Sequence, residues 1–345
     1  MAIVRTAIVG MGIGRQNGKA IARNPRGCVV ALCDVLEDRM KSFAAELPEP
    51  VKFYTDYRKM CCDPEIDAVF VGTPNQWHVP VALEAVRYGK HVLVTKPLAD
   101  SLAAARQLVE AAEAAGVVNM MSLSTRFADN VRYLGRMARR GEFGELYYAR
   151  TRSVRRSGIP DWSLGFIQKG GGAFRDVGVH VLDAAWWILG MPKPVSVVGV
   201  AGAKFGPRGL GYWDYRRPPE EFYRQHAADD YGGGFIRFEN GTGLQVESFW
   251  ASHQPNEMQI ELFGTEAGAR LNPLTIYRTV DGAPMDATVQ LPKGPEVWDH
   301  IAGHFIECIL DGKPCDAPLR HGLQVQEMME GLLESAATGT EVRLD

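Results

Sequence analysis

At 345 residues the chain has material for about two domains. Its 38 Lys and Arg against 41 Asp and Glu leave a net charge of −3, which excludes the basic footprint needed for nucleic acid or anionic lipid. A 46% hydrophobic and 23% charged composition excludes a disordered chain.

The chain opens on Thr6-Ala7-Ile8-Val9, an apolar run closed by Gly10. Glycines interrupt it too soon for a signal peptide, and nowhere do about 18 apolar residues follow one another as a membrane span requires. Further short apolar runs follow at Val29–Cys33, Ala68–Val71, His91–Val94 and Val117–Ser122, with helical patterns between them such as Val79–Tyr88 and Ser101–Ala115. Continuous apolar runs mark strands buried on both faces, and intervening helices make βαβ units. Residues 1–125 therefore read as a doubly wound parallel sheet, an α/β Rossmann domain. The texture changes at Arg126. A helix near Ala128–Arg140, an extended segment Leu146–Val154 and a helix from about Ala173 precede longer alternating strands at Ser196–Val200, Gly234–Phe238, Leu244–Trp250 and Gln259–Phe263. Glu239-Asn240-Gly241-Thr242-Gly243 is a hairpin signal. Residues 126–345 thus form an α+β domain with a mainly antiparallel sheet. Helices at Val297–Leu310 and Gly322–Ala337 end the chain, the last expected to pack back on the first domain.

Gly10-Met11-Gly12-Ile13-Gly14 lies between a strand and a helix, where glycines let the backbone approach a pyrophosphate at the helix N-terminus. The third glycine comes one residue early, with Arg15 in the expected place. Asp34, at the end of the second strand, suits a ribose 2′-hydroxyl and repels a 2′-phosphate, so NAD is favoured over NADP. Nearby Arg39 keeps NADP as the lesser alternative. Thr73-Pro74-Asn75 with His78 follows the next strand at the sheet's ligand-binding end, although Pro and Asn also simply make turns. Thr95-Lys96 follows the strand after that. Lys96 could donate to a substrate hydroxyl, where most lysines are solvated surface groups.

Gly170-Gly171-Gly172 leads into a helix on which Asp176 and His180, four apart, share a face. Gly178 would leave a bare patch there for a ligand, and Asp183 would orient the imidazole. The plain alternative is a satisfied ion pair in the core. Arg126, Arg152, Arg155, Arg156 and Trp162 are candidates to border a substrate. Guanidinium groups suit an anionic substituent and indole a sugar face, though a solvated sheet edge or subunit contact accounts for the same residues. The aromatic stretch from Gly209 to Asp230 reads as a lid or an arm to a neighbouring subunit. His300 and His304 have ligand spacing but no glutamate after the first histidine, so no metal is expected. Six cysteines without CxxC spacing read as reduced, mostly buried thiols of a cytoplasmic protein.

Three stretches in order, Thr73-Pro74-Asn75 with His78, Gly89-Lys90-His91-Val92 running into Lys96-Pro97, and Gly172…Asp176…His180…Asp183, resemble the Gfo/Idh/MocA oxidoreductases, which include glucose–fructose oxidoreductase and inositol dehydrogenase. The resemblance covers nearly the whole chain. It implies NAD as cofactor, a large open sheet joining homodimers or homotetramers, and a secondary hydroxyl of a sugar, glycoside or cyclitol as the reacting group. Lys96, Asp176 and His180 would be the catalytic group. Lys96 would hold and polarise the hydroxyl, His180 would take its proton, and Asp176 would position substrate or imidazole. An alternative in such proteins is transient oxidation, elimination and re-reduction, a glycosidase or lyase without net redox change. One departure is Thr95, where the family usually carries Glu. It removes a ribose contact and a negative neighbour of Lys96. The early third glycine is the other.

Overall fold

The computed structural model of the chain describes residues 2–344. They form two units, one running to Ser124 and including Gly294–Gln324, the other made of Thr125–Lys293 and the residues from Val325. The first unit is thus built from two stretches rather than the single run 1–125. The reason is the helix Val297–Asp311, whose Ile301, Phe305 and Ile306 are buried and which packs on helix Gly14–Arg23 and the first strand.

Unit 1 holds six parallel strands, β1 (Val4–Val9), β2 (Gly27–Cys33), β3 (Lys52–Tyr54), β4 (Ala68–Val71), β5 (His91–Val94) and β6 (Asn119–Met121). Their order is β3-β2-β1-β4-β5-β6. Every residue of β4 is buried, as an all-apolar strand between two helical layers must be. The order reverses between β1 and β4, and a crevice opens at the carboxyl ends of strands at such a switch point. The chain segments after β1, β2, β4 and β5 all begin at that end.

Unit 2 is a nine-stranded sheet of β7 (Leu146–Val154), β8 (Pro194–Gly202), β9 (Tyr231–Phe238), β10 (Gly243–Phe249), β11 (Glu257–Gly264), β12 (Gly268–Arg270), β13 (Thr275–Val280), β14 (Ala283–Thr288) and β15 (Val342–Arg343). The order is β14-β13-β12-β11-β7-β10-β9-β8-β15, antiparallel except for the β7–β10 pair. One face is covered by helix Val179–Ile188, nine of whose ten residues are buried, among them Trp186 and Trp187. Ala149, Val197, Ile236, Leu244, Val246 and Ile260 meet it from the sheet. No helix among the described residues is long and apolar enough to cross a membrane.

Candidate functional site

In unit 1, Gly10 turns the chain at φ +85°, where a side chain would run into the backbone of Gly72 at 2.6 Å. Gly12 faces open space, so its backbone can be approached from outside. Gly14 starts the helix, and a Cβ there would meet Ile8 at 2.8 Å. This close packing of helix on strand is the third glycine's task in the fingerprint. It is done here one position early, with Ile13 just before the helix. Arg15 points away, to Ser42 and Glu46. Asp34 braces the loop, accepting from the Met11 N–H at 2.9 Å and the Leu36 N–H at 3.0 Å, and its half-exposed carboxylate keeps lone pairs for a further donor.

His78 is fully buried at the start of helix His78–Arg87. Nδ1 lies 2.7 Å from the Pro97 carbonyl and Nε2 2.7 Å from the Thr73 carbonyl. Both ring nitrogens are thereby engaged. The ring ties the loop after β4 to the loop after β5 instead of presenting a nitrogen to a ligand. Burial pulls its pKa down against the two carbonyls, which favour the protonated ring. Thr73 has a buried hydroxyl oxygen without a protein partner, at the crevice where Gly10 and Gly72 meet. Pro74 is exposed and Asn75 half-exposed in the short turn Asn75–Trp77. Thr95 is buried, its N–H on the Val71 carbonyl, and Lys96 follows half-buried. An open glycine backbone, an orphaned hydroxyl and a carboxylate at the end of β2 fit a dinucleotide. Gly12, Ile13 and Gly14 would take its pyrophosphate and Asp34 its ribose.

In unit 2 the glycine run turns sharply. Gly172 has φ +114°, and a Cβ there would lie 2.0 Å from the Asp229 carboxylate, which caps the Phe174 N–H at 2.9 Å. Phe174–Gly178 then forms a π-turn, with the Val179 N–H reaching five residues back to Phe174 O, before the regular helix Val179–Ile188. Such wide turns are concentrated at functional sites. Asp176, on the π-turn, accepts from Trp250 Nε1 at 2.9 Å and lies 3.7 Å from the Arg155 guanidinium. Burial pushes the Arg155 pKa down and Asp176 offsets it. Arg155 stacks over Trp213 at 5.2 Å, and Trp213 meets the exposed Trp162 edge-on at 5.6 Å. A carboxylate, a guanidinium and two indoles therefore adjoin one another, while half-buried His180 begins the next turn.

Five expectations change. Gly178 is no bare patch for a ligand: it is buried, and a Cβ there would press on Ser248 of β10 at 3.1 Å. Asp183 does not serve the imidazole. It forms a fully buried pair with Arg126, whose Nε lies 3.2 Å from Oδ2, so Arg126 is a core residue and not a substrate-facing one. Burial pushes the Asp183 carboxyl up and Arg126 pulls it back. Arg152 belongs to the other face of the sheet, because neighbours alternate along a strand: Ala149 and Thr151 point to the helix, while Arg150 and Arg152 pair with Glu261 and Glu257 of β11. The 209–230 stretch is anchored and not a free lid, with Tyr212 wholly buried against Ile159 and Trp250. Arg156 is exposed, its N–H bonded to Asn256. Sequence reasoning overlooked Trp250 and Trp213 as neighbours of Asp176 and Arg155; they stand 74 and 58 residues further on, beyond any local pattern.

Known proteins share this architecture. Residues 4–123 match the model of an oxidoreductase family with an NAD-binding Rossmann fold, and residues 131–270 match the GFO/IDH/MocA C-terminal domain. The chain is 30% identical to D-glucoside 3-dehydrogenase of Escherichia coli (strain K12), over 99% of this chain and 97% of that protein. It is 27% identical to scyllo-inositol 2-dehydrogenase (NAD(+)) of Bacillus subtilis (strain 168), over 90% and 87% of the two. The fold is also that of aldose-aldose oxidoreductase from Caulobacter crescentus, with a TM-score of 0.82 at 23% identity, covering 99% of this chain and all of that one. The chain thus belongs to the Gfo/Idh/MocA family and is an oxidoreductase whose cofactor is NAD.

Proposed function

We propose that the protein oxidises a secondary hydroxyl of a sugar, glycoside or cyclitol. Kinship over the full length with D-glucoside 3-dehydrogenase carries this reading. The site in unit 2 supports it. Trp162 and Trp213 offer indole faces to the apolar side of a pyranose, and Arg155 admits an anionic substituent. Bound NAD supplies the hydride acceptor. Lys96 donates to the reacting hydroxyl oxygen and stabilises negative charge on it, and His180 accepts the proton. Asp176, fixed by Trp250, positions the hydroxyl-bearing ring. Arg155, Trp162 and Trp213 line the substrate. The protein acts as a homodimer or homotetramer, joined through the uncovered face of the nine-stranded sheet.

The test is turnover on a panel of glucosides, inositols and uronic acids with NAD. Lys96→Ala and His180→Ala should each lower kcat by about two to four powers of ten, as loss of a general acid–base group does. NAD affinity, read by fluorescence quenching, should be unchanged in His180→Ala. A fully active Lys96→Ala or His180→Ala enzyme overturns the assigned roles. Aglycone release without NADH accumulation would replace net oxidation by the redox-cycling alternative.

A further inference from the structure

The helix Val297–Asp311 carries His304 and Cys308 one turn apart on one face. Gly312 ends that helix in the left-handed conformation, φ +66°, and turns the chain back so that Cys315 comes to lie beside the same face. The His304 ring nitrogen and the two sulfurs all lie within 4.8 Å of one another, the one group of three potential metal ligands of this kind among the described residues. From this geometry we infer a site for a soft divalent cation of the zinc type, held by His304 Nε2, Cys308 Sγ and Cys315 Sγ in unit 1.

Three observations support the assignment. A tetrahedral ion with bonds of about 2.3 Å to sulfur and about 2.0 Å to nitrogen sets those two atoms about 3.5 Å apart. Cys308 Sγ and His304 Nε2 stand 3.5 Å apart. Secondly, the Asp316 N–H donates to His304 Nε2 at 2.8 Å, so that nitrogen carries a lone pair and no proton, as a metal ligand's must. The ion takes the lone pair now offered to that N–H, and the exposed turn at Lys313 and Pro314 can yield to release it. Lastly, Cys308 is buried while His304 and Cys315 are half-buried, which leaves solvent as the entry path and as the source of a water in the fourth position. The ion would staple the end of one helix to the turn that enters helix Leu319–Thr338, whose Leu319 N–H is held by Asn119, the first residue of β6.

The test is titration of the full chain, reduced and stripped with chelator, with Co2+ under anaerobic conditions, followed by Zn2+. One equivalent of Co2+ per chain should bind with the visible bands of a tetrahedral ion and a sulfur-to-cobalt charge-transfer band, and Zn2+ should displace it. Cys315→Ser, on the half-exposed turn, is the ligand variant least able to disturb the fold. It should lose about half of the charge-transfer intensity, one sulfur of two being gone, and bind roughly tenfold or more weakly. His304→Ala should weaken binding with both sulfur bonds kept, while Cys62→Ser, at an exposed cysteine elsewhere, should leave the titration unchanged. Zinc should also shield two thiols from a thiol reagent. A titration without the charge-transfer band overturns the site, as does a band of unaltered intensity in Cys315→Ser with native circular dichroism.

Discussion

Arg126 and Asp183 are both fully enclosed, and neither could be there alone. Taking two charges out of water costs several kcal/mol each, repaid only by their mutual attraction and hydrogen bonds. Asp183→Asn should therefore lower unfolding free energy in urea by about 3–5 kcal/mol, because the guanidinium stays buried without its counter-charge. The double change Arg126→Met with Asp183→Leu should recover much of that loss. If the single variant is as stable as the parent, the pair does not hold the helix Val179–Ile188 in place. A second carboxylate ties stability to pH. Asp63 accepts from Lys52 at 2.8 Å, the Glu65 N–H at 2.8 Å and Tyr54 at 2.7 Å, which hold its pKa down at about 2. In the unfolded chain it titrates near 4. The folded state then binds this proton less readily, so its contribution is complete above about pH 4 and disappears as the pH falls through 2. With Lys52 half exposed, that contribution is about 1 kcal/mol. Asp63→Asn should flatten the acid limb of the stability profile by this amount and leave the neutral limb parallel to the parent's.

The stretch from Gly172 to Gly178 shows how an element can be legible in kind and illegible in shape. The apolar residues after Ala173 announce a helix, and Asp176 and His180 are spaced to share its face. The π-turn is decided elsewhere, by Asp229 under Gly172 and by Ser248 of β10 against Gly178, residues with no local signal in the sequence. Gly172→Ala brings together two costs, a positive φ for an L residue and a Cβ driven into the Asp229 carboxylate. It should destabilise by about 2–3 kcal/mol. By moving the π-turn it should also depress turnover more than NAD affinity, which thermal shift with and without NAD would separate. Equal losses in both would mean the turn does not position Asp176. The same contrast runs through the sheets. β1, β2, β4 and β5 were legible because strands buried on both faces are apolar throughout, whereas β3 is three largely exposed residues at an edge. All six residues of β14 are exposed, Pro284 among them, so no apolar alternation marks it. Arg152 was misplaced although its signal was present: the alternation that groups it with Arg150 also sets both opposite to Ala149 and Thr151. For Arg126 no signal exists, since its partner lies 57 residues away.

At the scale of the whole molecule, the nine-stranded sheet is covered on one face by its helices, and no helix among the described residues covers the opposite face. That face mixes stacked aromatics, Tyr148 on Phe235 and Tyr231 on Phe249, with the ion pairs of Arg150 and Arg152. At its β8 side Val198 and Val200 are exposed by 52% and 64%. Val197 and Gly199 alternate with them and face inward, Val197 in the core and Gly199 against Leu332, so alternation turns both valines outward. Adjacent exposed β-branched residues beside aromatics are what an interface between like chains uses, and a two-fold contact sets each patch against its own copy. Glutamates at both positions would then face their own copies across the axis. Val198→Glu with Val200→Glu should therefore weaken self-association by about 3 kcal/mol, roughly a hundredfold in the dissociation constant. In sedimentation velocity the parent chain should run as a dimer or tetramer and the double variant as a smaller species. Its thermal shift with NAD should persist, since Gly12 and Asp34 belong to unit 1. A parent chain that sediments as a monomer at micromolar concentration, or a double variant that assembles unchanged, would remove this face from the assembly and leave its valines to another role.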